Sequence, residues 1–378
     1  MTQLLTYCER ELPWLVETIG ALVRLESPSG DAPAIHRCGA ELGRRLGALG
    51  GDVTALPGGI AGDHLLARFG TGGTQVLLLG HMDTVWPAGT LDRLPFRAEQ
   101  GRLYGPGVLD MKAGLALAAM ALRALTTEPD GLPGRIVILV TADEETGSAS
   151  SRAIIEAEAR ASRAVLVLEP ALPGGALKTS RKGCGDFVLR VSGRAAHAGI
   201  EPERGVGAIS ELARQITRIE ALEDTAAGTT INVGVVRGGS RPNVVAAEAE
   251  ALIDVRVANA SEAARITGAL RALEPVDARA ALAVTGGFGR PPMERSAAGA
   301  ALFGIARAVA ADLGRTLGEG GTGGGSDGNF TAAIGIPTLD GLGAVGGGAH
   351  ADDEHVTIAD LAWRAALLAG LLRRNLTI

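Results

Sequence analysis

Three short apolar runs constrain what this chain can fold into. Residues 76–79 (Val-Leu-Leu-Leu), 136–140 (Ile-Val-Ile-Leu-Val) and 165–168 (Val-Leu-Val-Leu) are too short for buried helices and rich in branched side chains. That is the pattern of strands buried on both faces. Each run leads into a polar cluster: His81-Met82-Asp83, Asp143-Glu144-Glu145 and Glu169. Helical spacing fills the stretches between them, so the alternation is βαβ. The expected fold class is α/β: a mixed, mostly parallel sheet flanked by helices. In such an open sheet the carboxyl ends of the parallel strands lie along one edge, where ligands bind. The polar clusters are predicted to share that edge.

A fourth carboxylate, Asp110, lies in Gly105-Pro-Gly-Val-Leu-Asp110-Met-Lys-Ala-Gly114. Glycines and a proline turn the chain there, and an apolar helix over 111–125 follows. A carboxylate at such a junction can aim both oxygens at one place, so Asp110 is read as a bridge between two metal ions. It could instead cap the helix, a common role for Asp.

The length, 378 residues, favours two domains. Helical spacing covers 4–25 and 35–49, and strands are predicted around Val53, at 64–69 and at 75–79. A helix over 150–160 completes the first αβ layer. The texture changes near Lys182. Strand 187–191, helix 206–222, strands 230–236 and 247–257, helix 261–273 and strand 281–284 give β-α-β-β-α-β, the ferredoxin-like order. This reads as an α+β domain, residues 182–290, inserted into a catalytic domain of residues 1–181 and 291–378. Helix 297–313, strand 338–342 and helix 358–372 finish the latter.

Net charge is -6 without a basic run, which argues against nucleic acid as a partner. Cys8, Cys38 and Cys184 are scattered and odd in number, as expected in a reducing compartment such as the cytoplasm. Glu9, Arg10, Glu11 and Pro13 stand where a signal peptide would need an apolar core. No apolar run reaches the about 18 residues that span a bilayer, so no membrane role is expected.

The chemistry rests on six positions. His81, Asp110, Glu145, Glu169 and His350 are candidate metal ligands, and Glu144 is the candidate general base. Imidazole nitrogens and carboxylates suit zinc. Two nearby ions need one shared ligand and private ligands for each, and this set supplies them. Asp83, two residues beyond His81 on the same strand face, could accept the second imidazole N–H. Glu144 would take a proton from the attacking water and return it to a leaving amine. Taken singly each residue has a plainer reading: a surface histidine, a solvated Glu-Glu turn. His355 competes with His350. The coincidence of four clusters at strand ends favours the metal site.

Gly80-His-Met-Asp-Thr-Val85, the Asp110 motif, Asp143-Glu-Glu-Thr-Gly147 and Glu169-Pro170 together resemble the signatures of the dinuclear-zinc M20 metallopeptidases, most closely the glutamate carboxypeptidases of the carboxypeptidase G2 type. The resemblance runs from about Leu15 to Ile358. It implies a zinc-peptidase-like fold with a lid and dimerisation domain, and two zinc ions per subunit, with cobalt or manganese as possible working ions. His81 and Glu169 would hold one ion, Glu145 and His350 the other, and Asp110 would bridge. His350 is preferred over His355 because Glu354 follows it at the family's spacing. The Asp110–Met111 peptide would be cis. A homodimer through residues 182–290 is implied, with His197 reaching the partner's site to stabilise an oxyanion. Asn243 and Arg256 match positions that grip the free carboxylate of the substrate, and Arg290 and Gly324 would line its pocket. The implied substrate is a small peptide or N-acyl amino acid, most simply one that releases C-terminal glutamate. Deacylase or dipeptidase activity stays open, since residues 178–183 depart from the G2-type pattern.

Two other classes find partial support in the sequence. Gly324-Gly325-Ser326-Asp327-Gly328 reads as G-x-S-x-G, and Asp340 and His350 follow in nucleophile-elbow order. The elbow needs a buried strand before it, and 315–322 does not read as one. The same glycines lack the pattern of a phosphate loop. A relative that only binds its ligand would be expected to lose Glu144 or a metal ligand, and none is lost.

Overall fold

The computed structural model describes residues 1–127, 132 and 134–377. It divides the chain into two compact units: residues 1–180, 295–321 and 326–378, and residues 181–294 with 322–325.

The first unit is built on a six-stranded sheet in the order Asp52–Leu56, His64–Phe69, Arg135–Thr141, Gln75–His81, Ala164–Val167, Thr338–Leu339. The last four strands run parallel, and His64–Phe69 pairs antiparallel on both its sides. Every residue of Gln75–His81 is buried, as a central strand requires. Its side chains alternate between two cores. Val76 and Leu78 join the larger one, with the helices Leu12–Val23, Ala113–Thr126 and Ile358–Thr377. Leu77 and Leu79 join a smaller one with Ile155, Ala159 and Phe330. Each such fully buried Leu contributes roughly 1.5–3 kcal/mol. The mostly parallel, doubly covered sheet is therefore the one expected.

Differences from expectation are local. The predicted helix 4–25 is two helices, Thr2–Arg10 and Leu12–Val23. Pro13 lies in the first turn of the second helix, where its missing N–H costs nothing. The same ring would break a continuous helix. The glycine-rich stretch holds a strand, Glu319–Thr322, paired with Leu177–Arg181, and a short helix, Gly328–Ala333. A four-stranded sheet of very short strands, 346–347, 355–357, 102–104 and 97–99, was also not anticipated.

The second unit carries Gly183–Ser192, Ala208–Glu220, Thr230–Gly238, Glu248–Val257, Ala260–Arg271 and Ala281–Arg290, the predicted β-α-β-β-α-β order. Its antiparallel sheet runs Thr230–Gly238, Glu248–Val257, Gly183–Ser192, Ala281–Arg290. Phe187, Leu189, Val191, Ala251, Ile253 and Val255 form its core with Leu212, Ile219, Ile266 and Leu270 of the two helices. Among the described residues no helix is long and apolar enough to cross a membrane.

Candidate metal centre

His81 ends the central strand, and its side chain is buried. Its Nδ1 lies 2.9 Å from the main-chain oxygen of Asp83, so that nitrogen carries the proton. The lone pair on Nε2 then faces Asp110 Oδ1 at 3.1 Å and Glu169 Oε1 at 3.5 Å. The other oxygen of Asp110, Oδ2, lies 3.3 Å from His350 Nε2, which is also 3.4 Å from Glu145 Oε1. Two groups result, His81–Asp110–Glu169 and Asp110–Glu145–His350, each with its candidate ligand atoms within 4.8 Å of one another. They share Asp110. His350 rather than His355 takes part: the His355 ring packs on Tyr104, and its Nδ1 meets Asp353 O at 2.8 Å.

The donor set fits divalent cations. A neutral Nε2 opposite two carboxylates sets acceptor against acceptor unless a proton or a cation intervenes. Without a cation, a proton fills the role. Burial opposes protonation of His81, but Asp110, Asp83 and Glu169 together raise its pKa well above the ordinary value. Asp110 and Glu145 raise His350 to about 10 against the cost of burial. Burial alone would raise Asp110, yet His350 and His81 hold it below the usual carboxylate range. Glu145 Oε1 is buried and makes no hydrogen bond; its ion-pair neighbour is His350 Nε2 at 3.4 Å, and a metal ion between them would satisfy both.

The turn bearing Glu144 and Glu145 is a single 3-10 turn, Glu144–Thr146. Asp83 holds it: Oδ1 accepts the Glu144 amide and Oδ2 the Glu145 amide, both at 3.2 Å, and Ser29 Oγ donates to Oδ2 at 2.8 Å. The Asp83 carboxylate thus serves the Glu144 turn as well as His81. It lies 3.4 Å from His81 Nδ1, farther than the residue's own carbonyl, because the carboxylate is engaged by these amides.

Sequence reasoning missed the support beneath Asp110. Glu354, 2% exposed, accepts the amides of Leu109 and Asp110 at 2.8 and 3.1 Å on Oε1. Its Oε2 accepts the Gly107 amide at 2.9 Å and Trp86 Nε1 at 2.7 Å. The spacing from His350 marked Glu354 but not this role. The Asp110–Met111 peptide is cis.

In the second unit the expected substrate residues fall into two groups. His197 and Asn243 are neighbours: His197 bridges to Val244, and the Ala198 amide donates to Asn243 O at 3.0 Å. Arg256 stands near the far end of Glu248–Val257, roughly 25 Å along the strand. There Cys184 is the cross-strand partner of both Arg256 and Arg290. Arg256 Nε and Nη2 donate to the Asp254 carboxylate, and its Nη1 lies 2.6 Å from Cys184 Sγ. Gly324 O accepts Arg181 Nη1 at 3.1 Å.

Ser326 is not placed as a nucleophile. It is fully buried, its hydroxyl donates to Asp340 Oδ2 at 2.7 Å, and His350 faces Asp110 and Glu145 instead. A strand and a helix do flank it, contrary to expectation, but the strand is outside the central sheet.

A family model described as peptidase family M20/M25/M40 matches residues 77–374. Carboxypeptidase G2 of Pseudomonas sp. (strain RS-16) is 35% identical over 370 residues, 96% of this chain and 89% of that protein. Acetylornithine deacetylase of Erwinia tasmaniensis is 32% identical over 306 residues, 75% of this chain and 78% of that one. The structure of aminopeptidase PepT from Bacillus cereus superposes with a TM-score of 0.81 at 24% identity, covering 97% of this chain and 99% of the other, a likeness of fold. The chain therefore belongs to peptidase family M20/M25/M40, and it is a metallopeptidase or amidohydrolase of that family.

Proposed function

We propose that this enzyme hydrolyses the amide bond of a small substrate with a free carboxylate, as a carboxypeptidase releasing C-terminal glutamate from N-acyl or peptidyl conjugates. The observation that carries the reading is the pair of ligand groups sharing Asp110, with Glu144 on the turn beside them. The likeness to carboxypeptidase G2 supports the choice of bond and product.

Two divalent ions, taken to be zinc, would be held by His81, Glu169 and Asp110 and by Glu145, His350 and Asp110; when bound they polarise a carbonyl and acidify water. Glu144 takes the proton of the attacking water and passes it to the leaving amine. Asp83 keeps His81 in its tautomer and the Glu144 turn in place. His197, supplied by a second subunit docked through residues 182–290, donates to the developing oxyanion. Arg256 holds the free carboxylate together with Asn243, which arrives with its neighbour His197 from the second subunit, and Arg290 and Gly324 line the pocket. Arg256 is already paired with Asp254, so a substrate carboxylate must share that guanidinium or displace its partner.

A second reading is N-acyl-amino-acid deacylation, favoured by the likeness to acetylornithine deacetylase. Amine release from a panel of N-acyl amino acids and dipeptides, with and without chelator, separates them. Chelator-sensitive release of glutamate supports the carboxypeptidase. Release confined to other N-acyl amino acids supports the deacylase. Turnover indifferent to the chelator refutes both.

A further inference from the structure

The sequence Ser326-Asp327 has no part in the mechanism above, yet Asp327 is 3% exposed. One of its carboxylate oxygens accepts the hydroxyl of Ser148, and the other accepts Thr141 Oγ1 at 3.0 Å. These residues bracket the segment that carries Glu144 and Glu145. Thr141 closes the strand Arg135–Thr141, in register with His81, and its carbonyl accepts the Met82 amide at 2.9 Å. Ser148 closes the turn, with its amide on Asp143 O at 2.8 Å. It is fully buried at φ +61°, left-handed backbone that a residue other than glycine adopts only when its surroundings impose it.

Asp327 is itself anchored through its neighbour. Ser326 Oγ donates to Asp340 Oδ2 at 2.7 Å and accepts the Gly328 amide at 3.1 Å, and the Ser326 amide donates to Asn329 Oδ1 at 2.9 Å. A carboxylate fixed in this way and bonded to both ends of a short segment sets the distance between those ends.

We propose that Asp327 is a positioning residue for the base: by holding Thr141 and Ser148 it fixes where the turn places Glu144. It acts through residues 141–148. The proposal rests on the reading of Glu144 as the base.

The test compares Ser148→Ala, Asp327→Asn and the double variant, with Glu144→Gln alongside. A misplaced catalytic group costs roughly 10- to 100-fold in rate. Both single variants should lose that much kcat, with KM within about twofold and metal content unchanged at saturating metal. The double variant should be no worse than Asp327→Asn, because the two residues form one connection. In chelated and in metal-loaded protein alike, hydrogen–deuterium exchange should rise in the peptide spanning 143–148 and stay unchanged in 75–81. Wild-type kcat in Ser148→Ala, losses that multiply in the double variant, or exchange rising everywhere would overturn the proposal. If Asp327→Asn does not fold, Ser148→Ala decides alone. Normal turnover in Glu144→Gln instead overturns the base assignment, whereas an inactive Glu144→Gln beside a fully active Ser148→Ala overturns the role of Asp327.

Discussion

Replacing Glu354 with glutamine should loosen the turn that carries Asp110. Four donors converge on this buried carboxylate: the amides of Gly107, Leu109 and Asp110 and the indole of Trp86. Glutamine keeps one oxygen and turns an NH2 toward the donors on the other side. Two hydrogen bonds to a charged acceptor are lost, each worth about 1.5–3 kcal/mol. The change also removes a buried charge. Burial is the largest influence on the Glu354 pKa and raises it above the usual carboxylate range despite the four donors, so that relief is real. The net loss should be about 2–4 kcal/mol, since unpaired buried donors cost more than the charge relief returns. For a unit of this size that is a fall in melting temperature of roughly 5–15 °C.

The loss should also reach the ligand. The amide of Asp110 is one of the four donors, so the variant should bind its metals more weakly, by roughly 10- to 100-fold. Thermal unfolding of chelated and metal-loaded protein, with competition against a chelating dye, measures both effects. Glu354→Ala, which abandons all four donors, should lose about twice as much stability. A Glu354→Gln protein with wild-type melting temperature and metal affinity would refute the reasoning.

Two further outcomes are expected. Gly114→Ala should destabilise by about 3 kcal/mol or more, read from the urea midpoint, because a β-carbon there would lie 2.1 Å from the Leu168 carbonyl oxygen, which is backbone and cannot step aside; a loss under about 1 kcal/mol would mean that the helix Ala113–Thr126 is free to shift. In metal-free protein the imidazoles of His81 and His350 have raised pKa values, so their stabilisation is complete below the unfolded value near about 6.5 and is lost as pH rises through each folded value, about 10 for His350. Asp110 has the opposite sign: its contribution is present above its unfolded value and disappears as pH falls. Melting temperature against pH should therefore decline on the alkaline side with chelator and much less with metal, and matching alkaline limbs would contradict the proton's role as a stand-in.

What could be read from sequence follows from burial. Parallel strands are covered on both faces, so 76–79, 136–140 and 165–168 announce themselves, and the first polar residues beyond each run mark the carboxyl edge. His81, Glu144, Glu145 and Glu169 were found in that way. Pro13 was visible, but the apolar spacing continues across it and hid the break. The supports were not legible. Ser29 reaches Asp83 across 54 positions, Ser148 reaches Asp327 across 179, and the Asp110 amide reaches Glu354 across 244. Side chains bonded to distant backbone or hydroxyls leave no periodicity in the chain. Asp83 shows the limit most clearly: face alternation put its carboxylate near His81, but the amides it accepts belong to a turn about 60 residues away.

The kind of donor chosen for these supports has a physical reason. Asp83 accepts two amides and a hydroxyl, and Glu354 three amides and an indole. A lysine or arginine in either of these places would hold a carboxylate at least as firmly. It would also bring a full positive charge close to the ligands, where it would repel divalent ions and offer itself to Asp110 or Glu145 as a rival partner. Neutral donors fix the geometry and leave the negative potential in place. The centre then keeps more carboxylates than its two imidazoles can neutralise even when both are protonated. That excess would favour exchange of the protons for divalent cations, and it would put the driving force for metal binding in the supports as much as in the candidate ligands.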